Sequence, residues 1–213
     1  SAHFINPFVQ GEERSRDEEK MEEEWAQWEE YKEQQAEAAA AAKPDSTIKP
    51  FLIKVEKFRL DDGQFVFHNF RRSLTKTGPL TEMDFNHLHV HDIQLDVDDF
   101  SFTEDEFKGE VKKAELIEES GFKINHLSAK EATVNPRRVE LYGVDLKTPH
   151  STMGDTLVFK YREYMDFHSF PTNVLMDLRF HDSEVALKDI MVFAKALEDN
   201  PFFAQNRDEI LSL

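Results

Sequence analysis

Residues 84–102, DFNHLHVHDIQLDVDDFSF, carry apolar side chains at every second position, and this alternation slips by one residue at two points. A period of two is that of a β-strand, in which successive side chains point to opposite faces of the sheet. The groups that share a phase are Leu88 with Val90, then Ile93, Leu95 and Val97, then Phe100 with Phe102. Each slip requires a bulge or a corner if the same face is to remain apolar. The segment therefore predicts one long, bent strand surface with a single apolar face.

The same alternation continues on both sides of this segment, over most of residues 48–180. Polar stretches and stretches with Gly or Pro separate the alternating runs, as is typical of turns between antiparallel strands. The tripeptide Asn-His-Leu at 86–88 recurs at 125–127, and this offset of 39 residues fits two or three strands with their turns. The chain is therefore predicted to be mainly β, as a weakly repetitive array of antiparallel strands.

Residues 15–43 predict one long acidic helix. They are rich in Glu, Ala, Gln and Lys, with Ser15 as the N-cap and Pro44 directly after the last residue. Four large side chains recur every three or four residues and form one stripe on this helix. They are Met21, Trp25, Trp28 and Tyr31. The stripe is a candidate partner-binding surface; the alternative is that it packs on the rest of the chain, as most amphipathic helices do.

The apolar period becomes helical again from Leu187, with a stop at Asn200-Pro201, and a second helix is predicted from about Ala204 to Leu211. The sequence therefore predicts short C-terminal helices after the strands. The predicted organisation is a short strand or tail at 1–14, the acidic helix at 15–43, a linker at 44–47, an antiparallel β-domain at 48–187 and the C-terminal helices at 188–213.

The net charge of −17 argues against direct binding to nucleic acid or to an anionic membrane surface. Each phosphate contact needs a cation, and the field of so acidic a protein repels a polyanion. The absence of cysteine excludes disulfides and thiol chemistry. The sequence contains no apolar run of about 18 residues and no signal segment. We expect the chain to be a segment of a longer protein.

His87, His89 and His91 alternate on the predicted strand, about 6.6–7 Å apart along one face. Adjacent members of such a row are within reach of one metal ion, but zinc sites more often draw their ligands from different elements. Since Leu88 and Val90 occupy the other face, the histidines most simply face water. The sequence therefore predicts no metal site.

No constellation of catalytic residues is evident in the sequence. The nucleophile elbow, the P-loop, the dinucleotide fingerprint and the metalloprotease motif are all missing. Adjacent acidic pairs such as Asp98-Asp99 point to opposite faces of a strand, so they cannot flank one bond as a general acid and base. The chain is therefore predicted to be neither an enzyme nor a cofactor-binding protein.

The order and texture of the strand segments resemble those of the TamB/AsmA-like family, in the form found in Bacteroidetes-type bacteria. The segments that carry the resemblance are LIKVEKFRLDDGQFVFHN at 52–69, MDFNHLHVHDIQLDVDDFSF at 83–102, EESGFKINHLSAKEATV at 118–134, VELYGVDLKTPHSTMGDTLVFKY at 139–161 and VALKDIMVFAKAL at 185–197. The resemblance covers about residues 48–200. The acidic helix is not part of it.

The resemblance implies a large periplasmic protein, anchored in the inner membrane by a helix outside this segment, whose repeated strands form an open, curved, U-shaped β-groove. The family acts in outer-membrane biogenesis, either in lipid transport or, with an outer-membrane partner of the TamA/BamA type, in the assembly of barrel proteins. The implied ligand is a phospholipid or another acyl chain. The residues expected to line the groove are Leu88, Val90, Ile93, Leu95, Val97, Phe100, Phe102, Leu127, Val139, Leu141, Leu157 and Phe159.

A closed β-sandwich that serves as a protein-interaction module, with the acidic helix as its partner-binding arm, is the alternative. Strand alternation does not distinguish the two folds, because a groove lining and a sandwich core have the same period.

Overall fold

The computed structural model describes residues 2–4, 51–71, 83–103, 105–193 and 201–213, together with five isolated residues between 23 and 34. In these ranges ten strands form one antiparallel sheet. The strands are β1 (Ala2–Phe4), β2 (Ile53–His68), β3 (His87–Phe102), β4 (Phe107–Glu118), β5 (Lys123–Asn135), β6 (Arg138–Lys147), β7 (Thr152–Lys160), β8 (Leu175–Phe180), β9 (Glu184–Ala186) and β10 (Ile210–Ser212).

The strands from β2 to β8 form a meander, in which each strand pairs with the next one along the chain. β1 pairs with β8, so the short strand expected near the N terminus lies at the edge of the sheet. β9 pairs with β7 beyond the turn that follows β8, and β10 pairs with β9. All the described strands belong to one sheet, so these residues do not form the closed two-sheet sandwich of the alternative prediction.

Both phase slips in β3 are irregularities of strand pairing, as the alternation predicted. The register between β3 and β4 shifts after His91 and again after Asp98. Asp92 and Asp99 each adopt a left-handed backbone conformation with φ of 52°, and Asp62 on β2 has φ of 57°. Aspartate tolerates this region better than most residues because its short side chain can form local hydrogen bonds. These three aspartates turn the strands at corners.

The apolar face lies on the inside of the curved sheet, because distant positions on it meet one short segment. According to the pairing register, Phe159 on β7 and Ile53 on β2 lie in the same cross-strand row, with four strands between them. Phe67 lies near the other end of β2, so a flat sheet would hold Phe67 and Phe159 more than about 40 Å apart. Yet the Phe67 ring lies 5.3 Å from Tyr164, and the Phe159 ring lies 5.8 Å from Phe170. The chain between Tyr164 and Phe170 spans only about 12 Å at the rise of a 3₁₀ helix, so the sheet must curve towards it.

We call residues 161–174, which connect β7 to β8, the bridging segment. It contains the 3₁₀ helix Tyr164–Ser169 and the one-turn helix Phe170–Asn173. The Phe167 ring lies 5.8 Å from the buried ring of Phe85, which lies two residues before β3. The bridging segment therefore joins the first strands of the meander to its last strands across the concave side.

The sheet remains open in spite of this bridge. Within the described ranges β2 pairs only with β3, and β1 pairs only with β8. No strand pairing joins these two edges, so the architecture is a curved, open antiparallel sheet and not a closed ring of strands. This agrees with the predicted fold class at the level of a mainly β, open antiparallel sheet.

The best-packed part of the sheet lies on strands β5 to β8. Its buried cluster consists of Ala129, Val144, Leu146, Leu157 and Phe180. The helix Leu187–Phe193 packs at one end of these strands, with Leu187 and Met191 buried. Its Asp189 Oδ2 accepts hydrogen bonds from Thr148 Oγ1 at 2.5 Å and from Ser151 Oγ at 2.6 Å, which fix the helix to the turn between β6 and β7.

The C-terminal region departs from the sequence prediction. The helix Leu187–Phe193 is present as expected, and residues 194–200 lie outside the described residues. Pro201 begins the short helix Pro201–Gln205, since proline is favoured at the first helical position. The helix predicted to run to Leu211 is wrong at its end, because Ile210–Ser212 forms β10. Pairing with β9 overrides the local helical pattern there.

Of residues 15–43, the structure describes only Glu23, Ala26, Gln27, Glu30 and Gln34. These five residues are helical and exposed, and Gln34 Nε2 donates a hydrogen bond to Glu30 Oε1 at 3.2 Å, one turn away. They do not support one long helix over the whole range, the rest of which lies outside the described residues.

Candidate functional site

Five of the twelve residues predicted to line a groove, Leu95, Phe102, Leu127, Val139 and Phe159, lie in two apolar rows of the sheet. Directly opposite residues of paired antiparallel strands place their side chains on the same side, and the register connects these positions through continuous apolar rows. One row consists of Leu60, Leu95, Ala114, Leu127, Leu146 and Met153. A second consists of Ile53, Phe102, Phe107, Val134, Val139, Phe159 and Met176. Contact of the twelve residues with lipid stays a prediction.

Aromatic rings concentrate where β2, β3 and β4 present this face. The Phe102 and Phe107 rings stack at 4.4 Å, and the Phe58 and Phe100 rings stack at 5.4 Å. Phe51 meets Phe102 edge-on at 5.8 Å. The Phe58–Phe100 contact spans the second phase slip, because Phe58 is paired with Val97. The slip therefore keeps the aromatic rings on one side of the sheet.

The exposure of this face falls from β2 towards β8. Ile53 and Phe65 are 41% and 52% exposed, whereas Leu157 and Phe180 are 7% and 4% exposed. Among the twelve predicted lining residues, Val97 and Leu157 are buried and the other ten are partly exposed. A sealed core would bury nearly all such side chains. The concave face therefore combines a packed region with an apolar surface that solvent or a ligand can reach.

A cleft of about 530 Å³ opens on the concave side beneath the start of the bridging segment. This volume is within the range of small-molecule sites. The cleft is lined by Phe102, Asp105, Phe107, Val134, Asn135, Pro136, Arg137, Tyr161, Arg162, Glu163 and Tyr164. Aromatic side chains thus form its wall, and charged groups lie at its rim.

Two tyrosines form the roof of the cleft. Tyr161 Oη donates a hydrogen bond to the carbonyl oxygen of Asn135 at 3.0 Å. Burial raises the pKa of Tyr161 above its ordinary value. Burial, with smaller contributions from the charges of Asp84 and Glu118, raises the pKa of Tyr164 to about 12. Both phenols are therefore neutral at physiological pH, and the roof adds no charge to the apolar wall.

A carboxylate holds the bridging segment in shape, and the sequence analysis did not identify it. Asp166 is 5% exposed, and its Oδ2 accepts hydrogen bonds from the backbone amides of Arg162 at 2.8 Å and Glu163 at 3.2 Å. Its Oδ1 accepts hydrogen bonds from the Arg162 guanidinium at 3.4 Å and from Asn173 Nδ2 at 3.3 Å. The available signal was Glu163-x-x-Asp166, which forms a reciprocal capping box.

Glu106 connects two turns near the cleft. Its carboxylate lies 2.6 Å from Lys108 Nζ, accepts a hydrogen bond from Asn135 Nδ2 at 3.3 Å and lies 3.7 Å from the Arg138 guanidinium. Burial would raise the pKa of Glu106, but these hydrogen bonds and positive charges outweigh burial, so the pKa lies below its ordinary value. Glu106 therefore remains ionised and ties the β3–β4 turn to the β5–β6 turn.

The opposite face of the sheet is charged. Arg59 Nη2 donates a hydrogen bond to Asp96 Oδ2 at 2.9 Å across β2 and β3, and this bond lowers the pKa of Asp96. Lys113 Nζ donates a hydrogen bond to Gln94 Oε1 at 2.9 Å, and Lys112 Nζ lies 2.6 Å from Glu110 Oε1. Exposed pairs of this kind contribute little to stability. They identify this face as the solvent side.

The histidine row lies at the far end of β3, on the solvent side. His89 forms a side-chain contact with Gln64 and lies 3.5 Å from Glu119, while His91 lies 3.2 Å from Asp92. Within the ranges given above, no group of three or more acidic or histidine side chains is placed to hold a metal ion. The stripe of Met21, Trp25, Trp28 and Tyr31 lies outside the described residues.

The arrangement offers apolar contact surface, and its charged groups are engaged in structural pairs or lie at the edge of the cleft. Among the described residues, no helix has both the length and the apolar character needed to cross a membrane. No family model, no curated protein and no solved structure is significantly similar to this chain.

Proposed function

We propose that this chain is a non-enzymatic segment of a periplasmic, inner-membrane-anchored protein of the TamB/AsmA-like type, which conducts lipid during outer-membrane biogenesis. The observation that supports this best is the concave apolar face, which runs without interruption across β2 to β8 and is only partly buried. An acyl chain is the ligand whose chemistry matches such a surface, because it forms no hydrogen bonds and gains free energy on leaving water.

The energetics favour a conduit over a tight receptor. Each methylene removed from water contributes about 0.8 kcal/mol, so exposing a tail of about 16 carbons costs on the order of 10 kcal/mol. A groove as apolar as the bilayer interior offsets most of this cost without binding the lipid more strongly than the membrane does. The surface therefore lowers the barrier to transfer and does not need to supply specificity.

The bridging segment limits how such a lipid lies. Tyr164 contacts Phe67 and also lines the cleft with Phe102 and Phe107, so the roofed part of the groove is narrow. A volume of about 530 Å³ suits one acyl chain better than a whole phospholipid. In this proposal the tail lies against the aromatic wall, and the polar head stays at the charged rim near Arg137.

The outer edge of β2 supports a second candidate function, chaperoning of outer-membrane proteins with a partner of the TamA/BamA type. Among the described strands, this edge has no hydrogen-bonded neighbour, and Ile53, Val55 and Phe65 lie exposed on it. Unpaired edge strands are able to pair with an extended client segment. Lipid conduction is the stronger proposal, because it uses the whole concave face and not only one edge.

The test compares two adjacent residues that point to opposite faces of β3. Leu95 is half-buried on the concave face between Leu60 and Ala114, whereas Gln94 is exposed on the solvent side. Leu95→Asp places a carboxylate in the path of the acyl chain and is expected to reduce binding of a fluorescent fatty acid at least about tenfold. Gln94→Asp adds the same charge to the outside and is expected to leave binding unchanged.

The folded state of both variants is checked by circular dichroism, and lipid that copurifies with the chain is identified by native mass spectrometry. Equal binding by a folded Leu95→Asp protein would overturn the conduit. Loss of folding in Leu95→Asp but not in Gln94→Asp would mean that this position belongs to a sealed core.

A further inference from the structure

Two histidines meet across the far ends of β2 and β3. His68 is the last residue of β2 and His87 is the first residue of β3, and the register pairs them directly. Next to them, Asn69 Nδ2 donates a hydrogen bond to Asn86 Oδ1 at 3.0 Å, and the Asn69 amide donates to the Asn86 carbonyl at 2.8 Å. The backbone therefore holds the two imidazole rings in a defined position.

The geometry of this pair differs from that of the histidine row along β3. Successive members of the row are separated by two residues of strand, and the ring centroids of His89 and His91 lie 5.8 Å apart, close to the 5.6 Å between the centroids of His68 and His87. The cross-strand pair differs in the orientation of its rings, which brings His68 Nδ1 to 3.3 Å from His87 Nδ1. The cross-strand pair, and not the row, brings two ligand atoms together.

A separation of 3.3 Å is the distance that a tetrahedral zinc ion imposes on two of its ligands. Zn–N bonds are about 2.0–2.1 Å long, and two such bonds at the tetrahedral angle hold the nitrogens about 3.3 Å apart. Without a metal, the two nitrogens can form a hydrogen bond only if one ring carries its proton on Nδ1 and the other does not.

We propose that His68 and His87 form a binding site for a divalent transition-metal ion such as Zn²⁺, coordinated through both Nδ1 atoms. Imidazole is a favoured ligand for zinc, copper and nickel. Because the described residues provide no third side chain for this site, water completes the coordination and the ion exchanges freely. Bound metal links the ends of β2 and β3 and stabilises the part of the sheet that is most exposed.

The test is a Zn²⁺ titration of the full chain by isothermal calorimetry. His68→Gln and His87→Gln are each expected to weaken the tightest binding step on the order of 100-fold, because removal of one ligand abolishes chelation. His181→Gln is the matched control, since His181 lies at a turn with its side chain 73% exposed and 3.4 Å from Asp182. It is expected to leave the titration unchanged.

A second measurement distinguishes coordination from general binding to this acidic chain. In nitrogen NMR spectra of the histidine rings, Zn²⁺ is expected to shift the Nδ1 signals of His68 and His87 and to raise the thermal midpoint of the native chain but not of either variant. Tight binding that persists in both variants, or that is lost instead in a His89→Gln, His91→Gln double variant, would overturn the assignment of the site to this pair.

Discussion

The two ends of the concave apolar face are built from the same kinds of residues but differ in how well they are covered. We call β2 to β4 the edge half and β5 to β8 the packed half. In the edge half Ile53 and Phe65 are 41% and 52% exposed, whereas in the packed half Leu157 and Phe180 are 7% and 4% exposed. Both halves continue the same cross-strand rows. The difference therefore lies in what packs on them and not in their own sequence pattern.

The comparison separates stability from function within one sheet. In the packed half, Leu178 and Leu213 pack against the buried cluster, and the helix Leu187–Phe193 adds its buried face at one end. Among the described ring contacts, the bridging segment reaches the edge half through Tyr164 on Phe67, and Phe167 packs on Phe85 just before β3. We infer that the packed half provides the folding free energy and that the edge half provides the surface available to a ligand.

The largest expected effect comes from removing one phenylalanine from each half. Phe180→Ala opens a cavity in the packed cluster and is expected to lower the free energy of unfolding by about 3–5 kcal/mol. Phe65→Ala removes a ring that is already half in water and is expected to cost less than about 1 kcal/mol. Urea unfolding followed by circular dichroism measures both. Equal losses would show that the two halves are equally well packed and would remove the basis of the comparison.

The next largest effect concerns the carboxylate that fixes the end helix to the packed half. Asp189→Ala removes the carboxylate that accepts two short hydrogen bonds. The buried hydroxyls of Thr148 and Ser151 then lose this acceptor. We expect a loss of about 1–3 kcal/mol in urea unfolding. Asp189→Asn is the control, because its amide oxygen keeps one acceptor and the loss should be smaller. An alanine variant as stable as the parent would mean that apolar contacts alone hold the helix in place.

Much of the sheet could be predicted from the sequence, because one-sided alternation is a direct consequence of the pleat. The alternating strands and the two slips in β3 follow from the spacing of apolar residues, and Asp92 and Asp99 stand at the points where the phase changes. The apolar rows that contain Leu95, Phe102, Leu127, Val139 and Phe159 follow from the same spacing. Strand alternation is local information, and the sequence contains it in full.

The bridging segment could not be predicted in this way. Strand β7 ends at Lys160, and the following residues turn back over the concave face. Their aromatic side chains suit a strand equally well, and only long-range packing on Phe67 and Phe85 determines where they lie. The sequence also could not predict which parts of the apolar rows are covered, because strand alternation gives no information about what packs on a face. Strand β10 could not be predicted either, because it depends on long-range pairing with β9.

A moderate effect is expected at the contact that joins the two halves. Tyr164→Ala removes the ring that meets Phe67 and is expected to lower the free energy of unfolding by about 0.5–1.5 kcal/mol, the range for an aromatic pair. Binding of a hydrophobic dye should increase, because the roof of the cleft is shortened. Tyr164→Phe keeps the ring and should retain both properties. No change in the dye signal of the alanine variant would show that the bridge does not restrict access.

The same tyrosine predicts a loss of stability at alkaline pH. The folded chain raises the pKa of Tyr164 from 10.0 to about 12 by burial. The fold thus favours the neutral phenol, and stability falls as the pH rises above 10, where the unfolded chain begins to ionise. Tyr164→Phe has no phenol to ionise and should show a smaller decrease. Ultraviolet tyrosinate absorbance measures the titration, and a midpoint near 10 for Tyr164 would contradict its packing against Phe67 and Phe167.

The smallest effect is expected at Glu106, where the edge half meets the β5–β6 turn. The folded chain lowers the pKa of Glu106 below its ordinary value of 4.5, so its contribution is present above that pH and is lost as the pH falls through the lowered pKa. Glu106→Gln should therefore cost less than about 1 kcal/mol near neutral pH, since the group is partly solvated. Urea unfolding at a series of pH values should show the two proteins converging in acid. A stability difference that persists in acid would mean that the glutamine disturbs the β3–β4 turn itself. The charge of Glu106 would then have no part in joining this turn to the β5–β6 turn.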